Sequence, residues 1–496
     1  MTERPIPKEL YSGIDIVAES LGPRRAELRV PVAVRDDEYP EDAETIANLL
    51  ADFTDAGNAN FLASSRGRNL LYEAERRVWR VWDPPAWRLD RNGRIYRIAE
   101  QTIRDMLRIA ADLPPEDLRS LTKHARSSLN VRRFKAMVEM AQAKLPVTRE
   151  EFDGDDSLLA VRNGVIDLRT GAFRPGQRED MITRVAGTQF EPDAKAPLWE
   201  AFIERIFEGD RDLIEFVRRS FGYSLSGDTR EQVFFLLHGV GQNGKSTLLR
   251  TLAHVLGDYG SQTPCETFLQ RKGDRPSNDL AALDGARFVT AVEPEENRRI
   301  AASVIKQLTG EDNVTARFHF REFFTYRPRY KIWLAANHKP VVRDDSQGMW
   351  RRVRLIPFNV QIPEAERDTS LAAKLAEELP GILNWALAGA RSWCREGLGH
   401  PAAVMNATAA YRVEMDVLGD FLDEQCVIET RQSAVFGDLF AAYERWSRER
   451  SERPATKSEF STQLDQRGFR SRRGAKGARY RDGIALKGAD AERVTG

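Results

Sequence analysis

The stretch "HGVGQNGKST", His238 to Thr247, constrains this chain more than any other, because it follows directly on the apolar run "VFFLL". It fits G-x-x-x-x-G-K-[ST], with Gly239, Gly244, Lys245 and Ser246 in the fixed positions. Glycines at that spacing allow the dihedrals that turn successive backbone N–H groups inward as an anion nest, and the helix starting near Lys245 adds its positive N-terminal end. The expectation is a strand, a phosphate-holding loop and a helix. Gly239, Val240, Gly241, Gln242, Asn243, Gly244, Lys245, Ser246 and Thr247 would line the cradle, with Lys245 on the outer phosphates and the Ser246 hydroxyl on Mg²⁺. A glycine-rich turn that merely caps a helix is the plainer alternative.

A phosphate cradle hydrolyses nothing alone, since the metal needs a carboxylate and the attacking water an orienting base. "RFVTAVEPEEN" supplies Glu293 at the end of an apolar run, with Glu295 as the alternate if the strand ends later and a solvated acidic turn as the plain reading. "KIWLAANHKP" ends another run in Asn337, able to sense a γ-phosphate or serve only as a turn residue. "GMWRRVRLIPF" sets Arg351 and Arg352 before a further strand. A planar, permanently charged fork suits a phosphate on a neighbouring copy, and a surface ion pair is the alternative.

The 496 residues, 41% hydrophobic and 30% charged, exceed one ordinary core and suggest two to four domains. No run of eighteen apolar residues and no signal-peptide pattern is present, and Cys265, Cys394 and Cys426 lie far apart without metal-site spacing. A reducing, cytoplasmic setting and no membrane partner are the expectations. Net charge is formally zero, but Lys457 to Gly483 carries eight Lys/Arg against three Asp/Glu. Residues 1–52, including the acidic "RDDEYPEDAE", read as a tail or linker. Trp79, Trp82 and Trp87 read as core rather than base-stacking residues. "LLAVRNGVIDLRTGAF" reads as strand, turn and strand. Between Gln232 and Phe358 strand-length apolar runs alternate with helical segments, as in a mainly parallel sheet buried on both faces.

The lysine loop, acidic strand end, asparagine strand end and arginine pair, in that order, resemble the superfamily 3 helicases of small viruses, phages and plasmids. "VIKQLTGEDNVTAR", Val304 to Arg317, is similar to a pattern of the phage and plasmid primase-helicases and the poxvirus nucleoside triphosphatase, and "TDAGNANFL" and "VRNGVIDLRTG" to the domain that precedes their ATPase. The resemblance implies a multidomain chain: an α/β P-loop, AAA+-like ATPase core at 201–400, a helicase-associated α+β or helical domain at 53–200, and a winged-helix-like unit at 415–486. For that last unit a solvated basic tail is the alternative.

It also implies Lys245 and Ser246 on ATP and Mg²⁺, Glu293 as the metal-linked catalytic acid, Asn337 as the sensor and Arg352 as the finger given to the next subunit. A hairpin gripping single-stranded DNA would place His319, Phe320 and Arg321 near its tip, where an aromatic and an arginine suit stacking and phosphate contact. A homohexameric ring on single-stranded or forked DNA follows, with priming left to a separate primase or initiator, because fifty leading residues hold no primase domain. Two rivals remain at this stage: an origin-binding initiator ATPase with little unwinding, and a P-loop phosphotransferase.

Overall fold

A computed structural model describes residues 43–270, 278–292, 298–318, 322–344, 346–450, 454–474 and 477–487. The chain divides into two compact units, one made of the described residues up to Asp83 with Arg88–Arg149, the other of Pro84–Trp87 and everything from Glu150 on.

In the first unit the helices Asp55–Arg66, Arg94–Ala111, Pro115–Ser128 and Val131–Gln142 surround an antiparallel strand pair, Leu70–Glu73 with Val78–Asp83. Folding here begins earlier than the expected tail boundary at residue 52: the helix Ala43–Ala51 sinks Leu49 into the same core. Helix periodicity explains the packing, since Ile95, Ile98, Ile103, Met106 and Ile109 share one buried stripe of the long third helix. Trp79 and Trp82 are buried in this unit and Trp87 in the other, as core residues would be.

The second unit opens with the three-stranded meander Leu158–Val161, Gly164–Asp167 and Phe173–Arg174. Its centre is a five-stranded parallel sheet: β1 (Phe234–His238), β2 (Gly260–Gln262), β3 (Phe288–Val292), β4 (Lys331–Ala336) and β5 (Val353–Pro357), in the order β5-β1-β4-β3-β2. The strands alternate between two cores. Phe235, Leu237, Trp333 and Ala335 join one cluster with helices Pro197–Ile206, Arg211–Leu225 and Leu379–Glu396, whereas Phe234, Leu236, Ile332 and Leu334 join the other. Burial on both faces is why these runs are apolar throughout. The α-helix α1 (Lys245–Leu256) follows β1, α2 (Ala302–Leu308) precedes a two-stranded hairpin of Val314–Ala316 with Phe324–Tyr326, and the short α3 (Gln347–Trp350) leads into β5.

The helix α4 (Ala402–Glu414) lies along β5, where the Leu355 amide donates to Thr408 Oγ1 at 3.1 Å, and leads to a C-terminal module. That module runs α5 (Val417–Gln425), a long strand Cys426–Val435, α6 (Phe436–Glu449), α7 (Lys457–Gln466) and the strands Ser471–Arg473 and Arg479–Leu486. Its basic stretch is folded. Arg481 is 2% exposed, donates to the Phe469 carbonyl at 2.9 Å and the Ser461 carbonyl at 3.0 Å, and pairs with Asp465. Among the described residues no helix is long and apolar enough to cross a membrane.

Candidate nucleotide site

The loop of Gly239 to Gly244 joins the carboxyl end of β1 to α1, where ligands of open parallel sheets bind. Two of its glycines are dictated by space. A Cβ at Gly239 would stand 2.1 Å from the Phe358 carbonyl oxygen, and Gly244 has φ +88° with Ile206 against it. A Cβ at Gly241 would meet nothing within 4 Å, and Val240 is 78% exposed, so this part of the loop faces open space.

Lys245 bends back into the loop. Its Nζ donates to the Gly239 carbonyl at 2.6 Å and to Asn243 Oδ1 at 3.0 Å, while Asn243 Nδ2 donates to the Val240 carbonyl at 2.7 Å. The side chain is buried, and desolvation alone pulls its pKa down to about 8. A buried ammonium beside neutral acceptors and an open nest of amides fits an anion: a phosphate there would restore the charge that burial discourages. Ser246, one residue further, is exposed toward the same end of the helix.

Asn337 and the arginine pair fall at two ends of the sheet. Asn337 directly follows β4, whose last residue Ala336 pairs with His238 of β1, so the exposed asparagine stands at the loop's end. Val292, the last residue of β3, pairs with Ala335. Glu293 and the alternate Glu295 follow it in sequence and lie outside the described residues, as do His319, Phe320 and Arg321, expected near a hairpin tip. What is described of that hairpin includes Phe323, 59% exposed, with the Arg317 guanidinium 4.6 Å from its ring centre.

Arg351 and Arg352 lie at the opposite end. Val353 of β5 pairs with Phe234 and Pro357 with His238, so the pair precedes the amino ends of both strands. Four rises of about 3.3 Å separate that level from the lysine loop, roughly 13 Å of strand. Arg352, read from the sequence as the finger, is the buried member of the pair. It is 8% exposed, and its guanidinium donates to Thr309 Oγ1 at 3.1 Å and to the Gly348 carbonyl at 2.5 Å. Arg351 is the exposed member, donating to Gln232 Oε1 at 2.7 Å.

Sequence reasoning missed a cationic group behind the loop. His238 is half-buried, and burial, then Lys339 and Lys245, lower its pKa. Lys339 pairs with Glu414 at the end of α4, and the Tyr411 hydroxyl donates to the Pro340 carbonyl. The segment after Asn337 thus rests on α4. A basic residue after the asparagine was visible in "NHKP", but its partner seventy-five residues away was not.

Residues 59–208 match the family described as "D5 N terminal like", and 237–352 match a family of unknown function, DUF5906. The "Putative helicase L207/L206" of Acanthamoeba polyphaga mimivirus is 29% identical over 319 residues, covering 59% of this chain and 33% of its own. The "Putative helicase 022R" of Frog virus 3 is 24% identical over 436 residues, covering 68% of this chain and 44% of its own. The chain therefore spans a third to under a half of these relatives. The apo structure of the NrS-1 C-terminal region superposes at TM-score 0.46 and 9% identity, covering 87% of this chain and 100% of that one. The two family matches and the viral relatives agree with the motif order read along the chain, which is similar to the D5-like helicases of viruses.

Proposed function

We propose that this chain is an ATP-dependent DNA helicase of phage or viral replication, built on a P-loop, AAA+-like core with a winged-helix-like C-terminal module. One observation carries the reading. The lysine loop and the arginine pair sit at opposite ends of adjacent strands, so an arginine of this chain completes a neighbour's site more readily than its own. A surface that lends at one end and receives at the other is heterologous, and such contacts close into rings or run on as filaments. A homohexamer is the closed form the resemblance implies.

In this reading the loop amides and Lys245 hold the ATP phosphates, and Ser246 and Glu293 would hold Mg²⁺, which would supply positive charge against the phosphoryl group in transfer. Glu293, or Glu295, orients the attacking water, and Asn337 reports the γ-phosphate. Arg351 reaches the neighbour's phosphate first, since Arg352 must leave Thr309 and Gly348 to do so. The hairpin of Val314–Ala316 and Phe324–Tyr326, with Phe323 and Arg317 on it, is the element that grips a single DNA strand, and His319, Phe320 and Arg321 are the residues assigned to that contact. The two rival readings differ in what sharing does for them: a phosphotransferase needs no second copy, and an initiator with little unwinding hydrolyses ATP without separating a fork.

Mixing tests it. Lys245→Ala and Arg351→Ala should each abolish ATP hydrolysis and fork unwinding. Combined, they should regain roughly a quarter of wild-type hydrolysis, because random pairing sets an intact loop against an intact arginine at that fraction of interfaces. Mixtures as inactive as either variant would overturn the shared site.

A further inference from the structure

A cleft of about 860 Å³ separates the ATPase core from the C-terminal module, away from the lysine loop. Arg299 and Arg343 stand on the core's wall, Gln463, Gln466 and Arg467 on the module's, and Arg412 of α4 lines the space as well. Glu459, Gln463 and Gln466 recur at helical spacing on α7, opposite Phe460 and Leu464, which are fully buried in the module's core. The polar face of this helix is thus turned toward the ATPase core.

The charge of the lining is positive, four arginines against Asp416 and Glu459. Both carboxylates are committed locally. Asp416 caps α5, accepting from the Gly419 amide at 2.9 Å, and pairs with Arg467; Glu459 is held in the capping box of Thr456, accepting from its amide at 2.7 Å and its hydroxyl at 2.9 Å. Three exposed arginines, Arg470, Arg472 and Arg473, follow Arg467 in the chain, of which Arg472 pairs with Asp482 at 3.2 Å.

We infer that this cleft binds a nucleic-acid strand between the core and the module, through its phosphodiester backbone. Guanidiniums suit phosphate oxygens, carboxamides offer both donors and acceptors to sugars and base edges, and four arginines drawn from both walls of a cleft this size suit a run of phosphates rather than one small anion. The inference rests on the helicase reading only for the identity of the polymer. It adds a contact surface that includes the ATPase core itself, distinct from the hairpin and from the module's outer face.

The test uses the full chain and a fluorescein-labelled forked oligonucleotide, with binding read by anisotropy across a salt series. Arg343→Gln with Arg412→Gln should weaken binding about tenfold at moderate salt and flatten the log–log salt slope by about two, one per lost phosphate contact. Gln463→Lys should tighten binding and steepen the slope by about one, a gain that misfolding cannot imitate. Affinities and slopes equal to wild type in both variants would overturn the cleft, as would polyglutamate competing as strongly as the oligonucleotide at equal charge. Binding of fluorescent ADP should stay unchanged in each. If these variants behave as expected but DNA fails to stimulate hydrolysis in the wild type, the helicase reading falls while the cleft stands.

Discussion

Two lysines sit buried at opposite ends of the central sheet, and they differ in how fully they are used. Lys331 begins β4 and is 1% exposed; its Nζ donates to the carbonyls of Ser226, Asp228 (3.0 Å) and Arg329 (3.4 Å) and lies 4.5 Å from the Tyr223 ring centre. Lys245 begins α1 and is similarly buried, yet holds only one carbonyl and one carboxamide, under a loop whose Val240 is 78% exposed. Burial lowers the pKa of both. A shifted pKa therefore does not mark a functional site. The mark is a charged group whose partners are incomplete where a ligand has space.

The largest expected effect that would sharpen this contrast lies with the arginines beside Lys331's end of the sheet. Arg351→Ala should lower the ATP hydrolysis rate by about a thousandfold, the scale of a lost arginine finger, with fluorescent-ADP affinity kept. Arg352→Ala should instead lower thermal stability, because Thr309 and Gly348 lose a buried donor. If Arg352→Ala proved the hydrolysis-dead, fully stable variant, the roles of the pair would be exchanged.

A smaller effect separates the lysines themselves. Lys331→Met leaves three inward carbonyls without their ammonium and should cost about 3 kcal/mol in denaturant unfolding, with nucleotide binding per folded molecule unchanged. Lys245→Met should do the reverse, sparing stability and removing nucleotide. Equal destabilisation by the two substitutions would erase the distinction.

The smallest effect is a proton. Lys245 loses its proton near pH 8 in the free loop, and a bound phosphate raises its pKa. Nucleotide binding at about pH 8.5 should therefore take up a fraction of a proton, falling toward zero near pH 6.5 where the lysine is already charged. Calorimetry in buffers of different ionisation enthalpy measures this, and Lys245→Arg should abolish it, since a guanidinium stays protonated throughout.

Much of the core was legible in the chain because its signals are local. Apolar runs such as "VFFLL" and "KIWLAAN" are β1 and β4, and the loop's glycines stand where close approach or positive φ demands them. Arg351 and Arg352 show the limit. They are adjacent and chemically identical, and only the packing of α2's end and α3 decides which one is buried. Nothing local marks Lys331 as buried, because its acceptors at Ser226 and Asp228 lie about a hundred residues earlier. The cleft is invisible for the same reason, its walls being drawn from segments far apart in sequence.

The helix α4 has a practical consequence for anyone who shortens this protein. A cut before Ala402 removes Tyr411 from Pro340 and Trp350, Thr408 from Leu355 and Glu414 from Lys339. It would damage the segment behind Asn337 while seeming only to discard a terminal module. A cut after Met415 keeps those supports and discards α5 to α7 cleanly. Loss of hydrolysis in the shorter form would then be misread as a role for the module, so the two truncations belong side by side.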